Sequence, residues 1–308
     1  MLRAQAPKSS TSKKRAVSLL ELPEDDPRIL ATLLYIIHNR FGNVFDKVTR
    51  NDMFRITILT KKYAMTEVLR PWVRQWTKLL TPAFRPLGEQ GEDEALLWIS
   101  WELGHIELFE QALGHLQETC KIDGQGKLVD GYGVCVEDSD HIKALNIIDG
   151  LAARRIERID ALMLCMPKKV ESLAATEQSS SARPHAKGPP EALAATSQKM
   201  TECSVDGLFG EWRHSESCRT WYLGSVIRSL ARAGYYPMPP DVMKSSVQEV
   251  RTRLGSVCRG IQLDGRYLFC SPVFELRSSL DKVDTNISLT DAQRRHLQQQ
   301  AVKNGLPP

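Results

Sequence analysis

No apolar run in this chain is long enough to cross a bilayer: the longest uncharged one, Ile29 to His38, falls far short of the about 20 residues a spanning helix needs. A phosphate-binding loop is also missing. Gly126-Lys127 lacks a glycine five residues before Gly126, where Lys121 stands, so the backbone N–H groups are not arranged to surround an anion. The Asp123-Gly124-Gln125-Gly126 run lacks the oxygen ligands and closing Glu of a calcium loop. Neither a Gly-x-Ser-x-Gly nucleophile elbow nor a His-Glu-x-x-His zinc helix occurs. His105 and His115, on two successive helical stretches, read as a surface pair rather than as ligands. With nothing to position a nucleophile, base or cofactor, the expectation is a non-catalytic protein.

The seven cysteines, at 120, 135, 165, 203, 218, 258 and 270, show no tight repeating spacing, and no apolar signal segment precedes them. Reduced thiols in a cytoplasmic or nuclear protein are expected. The net charge of +4 is mildly basic, but Arg3, Lys8, Lys13, Lys14 and Arg15 all precede the first acid, Glu21. With those five set aside, 36 basic residues face 37 acidic ones, so no basic surface points to a nucleic-acid partner. No membrane partner is expected either.

What the chain does have is helix signal. At 308 residues and 42% hydrophobic content it is long enough for one or two packed cores. Residues 1–18 read as a flexible basic tail, within which Lys13-Lys14-Arg15 fits a nuclear signal and the acid-free start a transit peptide. Asp26 before Pro27 predicts an N-cap with proline at the first helical position, followed by Ile29, Leu30, Leu33, Leu34 and Ile37. Thr49 with Asp52 predicts a capping box, and Thr66 predicts a cap on a third helix that Pro71 bends or restarts. Further helices are expected over Asp93–Leu103 and Ile106–Leu116, separated by Gly104, with short strands or turns among the glycines between Ile122 and Val136. From Ser139 or Asp140 one long helix is expected, with Ile142, Leu145, Ile148, Ala152, Ile156, Ile159 and Met163 inside and Arg154, Arg155 and Arg158 mostly outside. The predicted fold class is therefore mainly α, a helical lobe over 19–166 with Leu33, Ile37, Phe54, Ile58, Trp72 and Trp76 in its core.

Pro, Ser and Ala dominate 167–200, which reads as a flexible linker. Beyond it, 201–308 reads as a small, mostly helical C-terminal region of unassigned role: a helix from Ser217 to Ala233, another capped by Ser245 or Ser246, a hairpin over Ile261–Phe274, and a polar helix through Gln298–Gln300. Its one metal-type constellation is Cys203, His214, Cys218, Cys258 and Cys270, the thiol and imidazole groups zinc prefers. The spacing lacks Cys-x-x-Cys and favours ordinary thiols. Zinc is the only cofactor the sequence suggests, and the second functional reading is a zinc-stabilised regulatory or nucleic-acid-associated protein.

Leu22-Pro23-Glu24-Asp25-Asp26-Pro27, continuing to Leu33-Leu34-Tyr35-Ile36-Ile37-His38 and Phe41, resembles the middle of fungal BTB/POZ-domain proteins. Leu59-Thr60-Lys61-Lys62-Tyr63 with Leu69-Arg70-Pro71-Trp72 and Trp76 resembles the helical pair that ends that domain. The run from Leu97 to Gly104 with Phe109 resembles its helical extension. More loosely, Cys218, Leu223-Gly224-Ser225, Leu230, Gly234-Tyr235-Tyr236-Pro237 and Val247 resemble the C-terminal segment. The resemblance implies 19–80 as a partial BTB/POZ-like domain, 81–166 as its extension, and an interaction scaffold or adaptor as the function. The strands and first helices that precede the Glu-Asp-Asp-Pro run in that family are missing here, which leaves domain dimerisation and cullin binding in doubt and suggests a truncated gene product or a diverged member. Because Ile29, Leu30, Leu33, Leu34, Ile36 and Ile37 cover more than one face of their helix, an apolar interaction surface built on Ile29, Leu33, Ile36 and Ile37 is expected, facing a protein partner or a second copy.

Overall fold

The computed structural model describes residues 21–80, 92–175, 204–205, 212–213, 216–237, 239, 241–262, 271–283 and 287–307. Within them the fold is mainly α. It begins with α1 (Pro27–Ile37), α2 (Arg50–Lys62), α3 (Arg70–Lys78), α4 (Glu92–Leu103) and α5 (Ile106–Thr119). A two-stranded antiparallel ribbon of β1 (Lys121–Ile122) and β2 (Leu128–Val129) follows, pairing Lys121 with Val129 and Ile122 with Leu128. Then come α6 (Asp140–Ala144), α7 (Ile148–Ala174), the paired β3 (Ser204–Val205) and β4 (Trp212–Arg213), α8 (Glu216–Arg232), α9 (Val247–Gly260), α10 (Val273–Asp281) and α11 (Asp291–Asn304).

The helix starts follow from local chemistry. The Asp26 carboxylate accepts the N–H groups of Arg28 and Ile29, with Pro27 at the first position, where it has no bond to forfeit. Thr49 and Asp52 close a capping box on α2, as do Ser246 and Glu249 on α9 and Thr290 and Gln293 on α11. Each contributes about 1 kcal/mol. A 3₁₀ turn at Thr66–Leu69 precedes α3, which restarts with Pro71 in its first turn.

Two apolar cores form, and the chain does not enter them in sequence order. The first gathers Leu33, Met53, Trp76, Leu97, Phe109 and Leu151, and is completed from the far end of the chain by Leu297 and Ala301 of α11. The second joins Ile159, Leu162 and Met166 of α7 to Tyr222, Val226, Val250, Leu254 and Leu276. The expected C-terminal region is therefore divided, with α8 to α10 in the second core and α11 returning to the first.

Several expectations are corrected in α7. The single long helix is split, because Asn146 takes a left-handed φ of 52° between α6 and α7, a conformation asparagine tolerates. Arg155 and Arg158 are buried, while Ile156 is 48% exposed. The helix has α5 on one side and α8 to α10 on others, so its arginines meet protein: Arg155 donates to the Met243 carbonyl and Arg158 to Glu118 at 3.3 Å. The helix also runs through Pro167 into the expected linker, because Leu173 packs into the second core and Lys169 pairs with Glu275. Residues 176–200 lie outside the described residues. So do 263–270 of the expected hairpin, whose last residues, Val273 and Phe274, instead open α10.

The docking of α11 supplies a pH-dependent element. His296 stacks on Trp101 with centroids 3.9 Å apart and planes 15° from parallel, and its buried Nε2 has no hydrogen-bond partner. Burial first, then the charge of Lys61, holds its pKa below the ordinary 6.5. His105, which caps α5 by accepting the Leu108 N–H at 3.4 Å, is depressed by burial as well. His115 shifts the opposite way because Asp93 accepts its Nδ1 hydrogen bond at 2.9 Å.

The signs separate the pH windows. Below about pH 6.5 the unfolded chain protonates at positions 105 and 296 before the folded one does, so stability falls there as pH falls. The His115 contribution is complete below about pH 6.5 and is lost as pH rises through its elevated folded value. The expected result is a His296→Phe variant, which keeps the ring stack, losing less melting temperature than the wild type on acidification below about pH 6.5. Parallel acid profiles for the two proteins would refute the role of His296.

Candidate interaction surface

The helix α1 carries two apolar stripes of identical spacing, Ile29-Leu33-Ile36 and Leu30-Leu34-Ile37, each at i, i+4, i+7. The first is turned into the core, with Ile29 and Leu33 fully buried and Ile36 nearly so. This corrects the expectation that Ile29, Leu33 and Ile36 form an interaction surface. Of the four residues expected there, only Ile37 is exposed, at 45%, and for the same reason it is not the core residue it was also expected to be.

Polar contacts with α2 set this rotation. Asp25 accepts from Lys62 at 2.8 Å and from the Tyr63 hydroxyl, Asp26 pairs with Arg55 at 2.6 Å, and Arg28 pairs with Asp52. Hydrogen bonds from Lys62 and then Tyr63 hold the Asp25 carboxyl below its usual range, and the bond from Arg55 does the same for Asp26. Thr32, on the inward side, is buried and donates to the Arg28 carbonyl at 3.0 Å.

Of the second stripe, Leu34 and Ile37 face outward, while Leu30 is partly buried against the first core. Leu34 is 44% exposed, and Phe41, in the 3₁₀ turn Phe41–Asn43 four residues beyond Ile37, is 53% exposed. Phe41 lies with its ring centroid 5.5 Å from that of Trp72 on α3, so its position is set by a second helix rather than by the turn alone. Sequence reasoning counted Leu34 among the apolar residues of this helix but did not assign it to the surface. The equal spacing of the two stripes contained the signal for a second apolar face, but not for its orientation. From Pro27 to Phe45 the chain has no carboxylate, and His38 and Arg40 are exposed between Ile37 and Phe41.

Of the expected zinc set, only Cys218 and Cys258 lie among the described residues. Cys218 and Cys258 are buried on α8 and α9 in the second core. Burial pushes the Cys258 thiol above its ordinary pKa, away from the thiolate a metal requires. Cys203, His214 and Cys270 lie outside the described residues, and among those described no group of three or more His, Cys, Asp or Glu is placed to hold a metal ion. The His105 and His115 pair is also explained locally, by the α5 cap and by Asp93.

The motif residues that suggested a family interlock. Asp25 of the Glu-Asp-Asp-Pro run holds Lys62 and Tyr63 of the second run, and Lys61 of the same run reaches the buried Glu102 of the third at 2.9 Å. Comparison with protein-family models, with curated proteins and with solved structures finds no match. No helix among the described residues is long and apolar enough to cross a membrane.

Proposed function

We propose that this chain is a non-catalytic protein–protein interaction scaffold or adaptor of BTB/POZ type, and that Leu34 and Ile37 of α1, extended by Phe41, form the surface it uses. The observation that carries the reading is the pair of half-exposed aliphatics followed by a half-exposed phenylalanine on one helix end. Large apolar side chains that the fold leaves outside mark contact sites when they adjoin, and aromatic residues dominate the centres of such contacts. The interlocked motif runs support treating α1, α2 and α4 as one unit of the kind the resemblance implies.

The chemistry points to the partner. With Arg40 at its edge and no acid from Pro27 to Phe45, the surface favours an amphipathic helix with acidic flanks over a second copy, which would set one Arg40 against the other. Replacing Leu34 and Ile37 by Asp removes about 2 kcal/mol of burial at each position in the complex. The experiment is cross-linking and mass spectrometry on the full chain beside the Leu34→Asp/Ile37→Asp variant, with light scattering and circular dichroism on both. The expected outcome is an equally folded variant that loses the chain the wild type captures. Identical captures by both proteins, or a wild type that only pairs with itself through this face, would overturn the proposal of an acidic partner.

A further inference from the structure

A cleft of about 350 Å³ opens where the two cores meet. Thr119 at the end of α5 and Lys121 in β1 form one wall, and Ser246, Glu249, Thr252 and Arg253, from the cap to the middle of α9, form the other. Lys121 has no carboxylate partner among the described residues, and neither has Arg253. The group beside Arg253 is the Tyr235 phenol, which burial holds above its ordinary pKa and therefore neutral. The one acid in the cleft, Glu249, is engaged in the capping box, accepting the Ser246 N–H at 3.2 Å. Two cations thus face one carboxylate already bound.

We propose that this cleft binds a small phosphorylated molecule. Ser246 Oγ accepts the Glu249 N–H at 3.1 Å, which leaves its hydroxyl proton to donate, and Thr252 offers a second hydroxyl six residues further along. One end of the cleft lies at the first turn of the 14-residue α9, where the helix dipole favours an anion. Ammonium, guanidinium, hydroxyl donors and helix dipole converge on one space, a combination that suits the many acceptor oxygens of a phosphate better than a single carboxylate. The volume lies at the small end of the roughly 300–1,000 Å³ range of small-molecule sites, too large for a bare phosphate and fitted to a phosphate ester. Because the walls belong to different cores, a bound ester stabilises their junction.

The test uses the full chain with pyrophosphate and adenosine monophosphate as probes, read by titration calorimetry and thermal melting, against chloride at matched ionic strength. Saturable binding and a raised melting temperature are expected with the probes and not with chloride. Lys121→Gln and Arg253→Gln should each weaken binding about tenfold, with the ligand-induced shift measured from each variant's own ligand-free melting temperature. Thr252→Glu, at an exposed position away from both cores, should abolish binding by repulsion and guards against a variant that fails to fold. No heat and no shift at millimolar probe, an equal shift with chloride, or binding that survives the Lys121→Gln/Arg253→Gln pair would each overturn the assignment.

Discussion

Replacing Gly104 by alanine is expected to undock α11 and destabilise the protein by about 3 kcal/mol or more. Two costs combine at this position. Gly104 ends α4 with a φ of 80°, its N–H and that of His105 both returning to the Ser100 carbonyl, and any residue with a Cβ resists that backbone. The second cost is contact. A Cβ built there would stand 2.0 Å from the Ala301 nitrogen and 2.4 Å from the Leu297 carbonyl oxygen. Both are backbone atoms of α11 and cannot turn aside as a side chain would, so the helix must withdraw.

Withdrawal breaks more than one contact. Leu297 and Ala301 are fully buried, and Asn304 donates to the Glu102 and Leu103 carbonyls at 3.2 Å, closing the end of α4. The matched control is Gly126→Ala, where φ is 84° but nothing lies within 4 Å, so only the backbone penalty of about 1 kcal/mol applies. Urea denaturation of both variants measures the difference, and limited trypsin digestion at Arg294 and Arg295 reports on α11. Equal losses in the two variants would show that the close approach of α11 to Gly104 costs nothing.

This approach could not be read from the sequence, since Gly104 and Ala301 are 197 positions apart and nothing local to either names the other. The same sequence did identify Gly104 as a break, because a helix stop is a property of one residue and its neighbours. The capping pair Thr49 with Asp52 was legible for that reason, and so was the mainly helical class, while the second cap was narrowed only to Ser245 or Ser246. What was not legible depends on surroundings. Arg155 and Arg158 look like a solvated face until α5 and α9 enclose them. Lys121 and Arg253 share a cleft only because β1 and α9 meet across the two cores.

The largest effect is expected at Ile36, and its contrast with Ile37 tests the face assignment of α1 on which the interaction surface rests. Ile36→Asp places a carboxylate in the first core, where the position is only 6% exposed and packed with Leu33 and its neighbours. An unpaired acid there either remains charged against a low dielectric or folds only when protonated. The loss of apolar burial adds to that, and the total, about 4 to 5 kcal/mol, is a large share of what a domain has. The expected result is loss of the α-helical circular dichroism signal of the first core at neutral pH, partly recovered on acidification as the new carboxyl protonates. Ile37→Asp, one residue on and 45% exposed, should melt within about 0.5 kcal/mol of the wild type. One residue of helix turns the side chain by about 100°, which carries it from the side facing α2 to the side facing solvent. If Ile36→Asp folds as stably as the wild type while Ile37→Asp unfolds, α1 is rotated the other way, and Leu34 and Ile37 belong to the core rather than the surface.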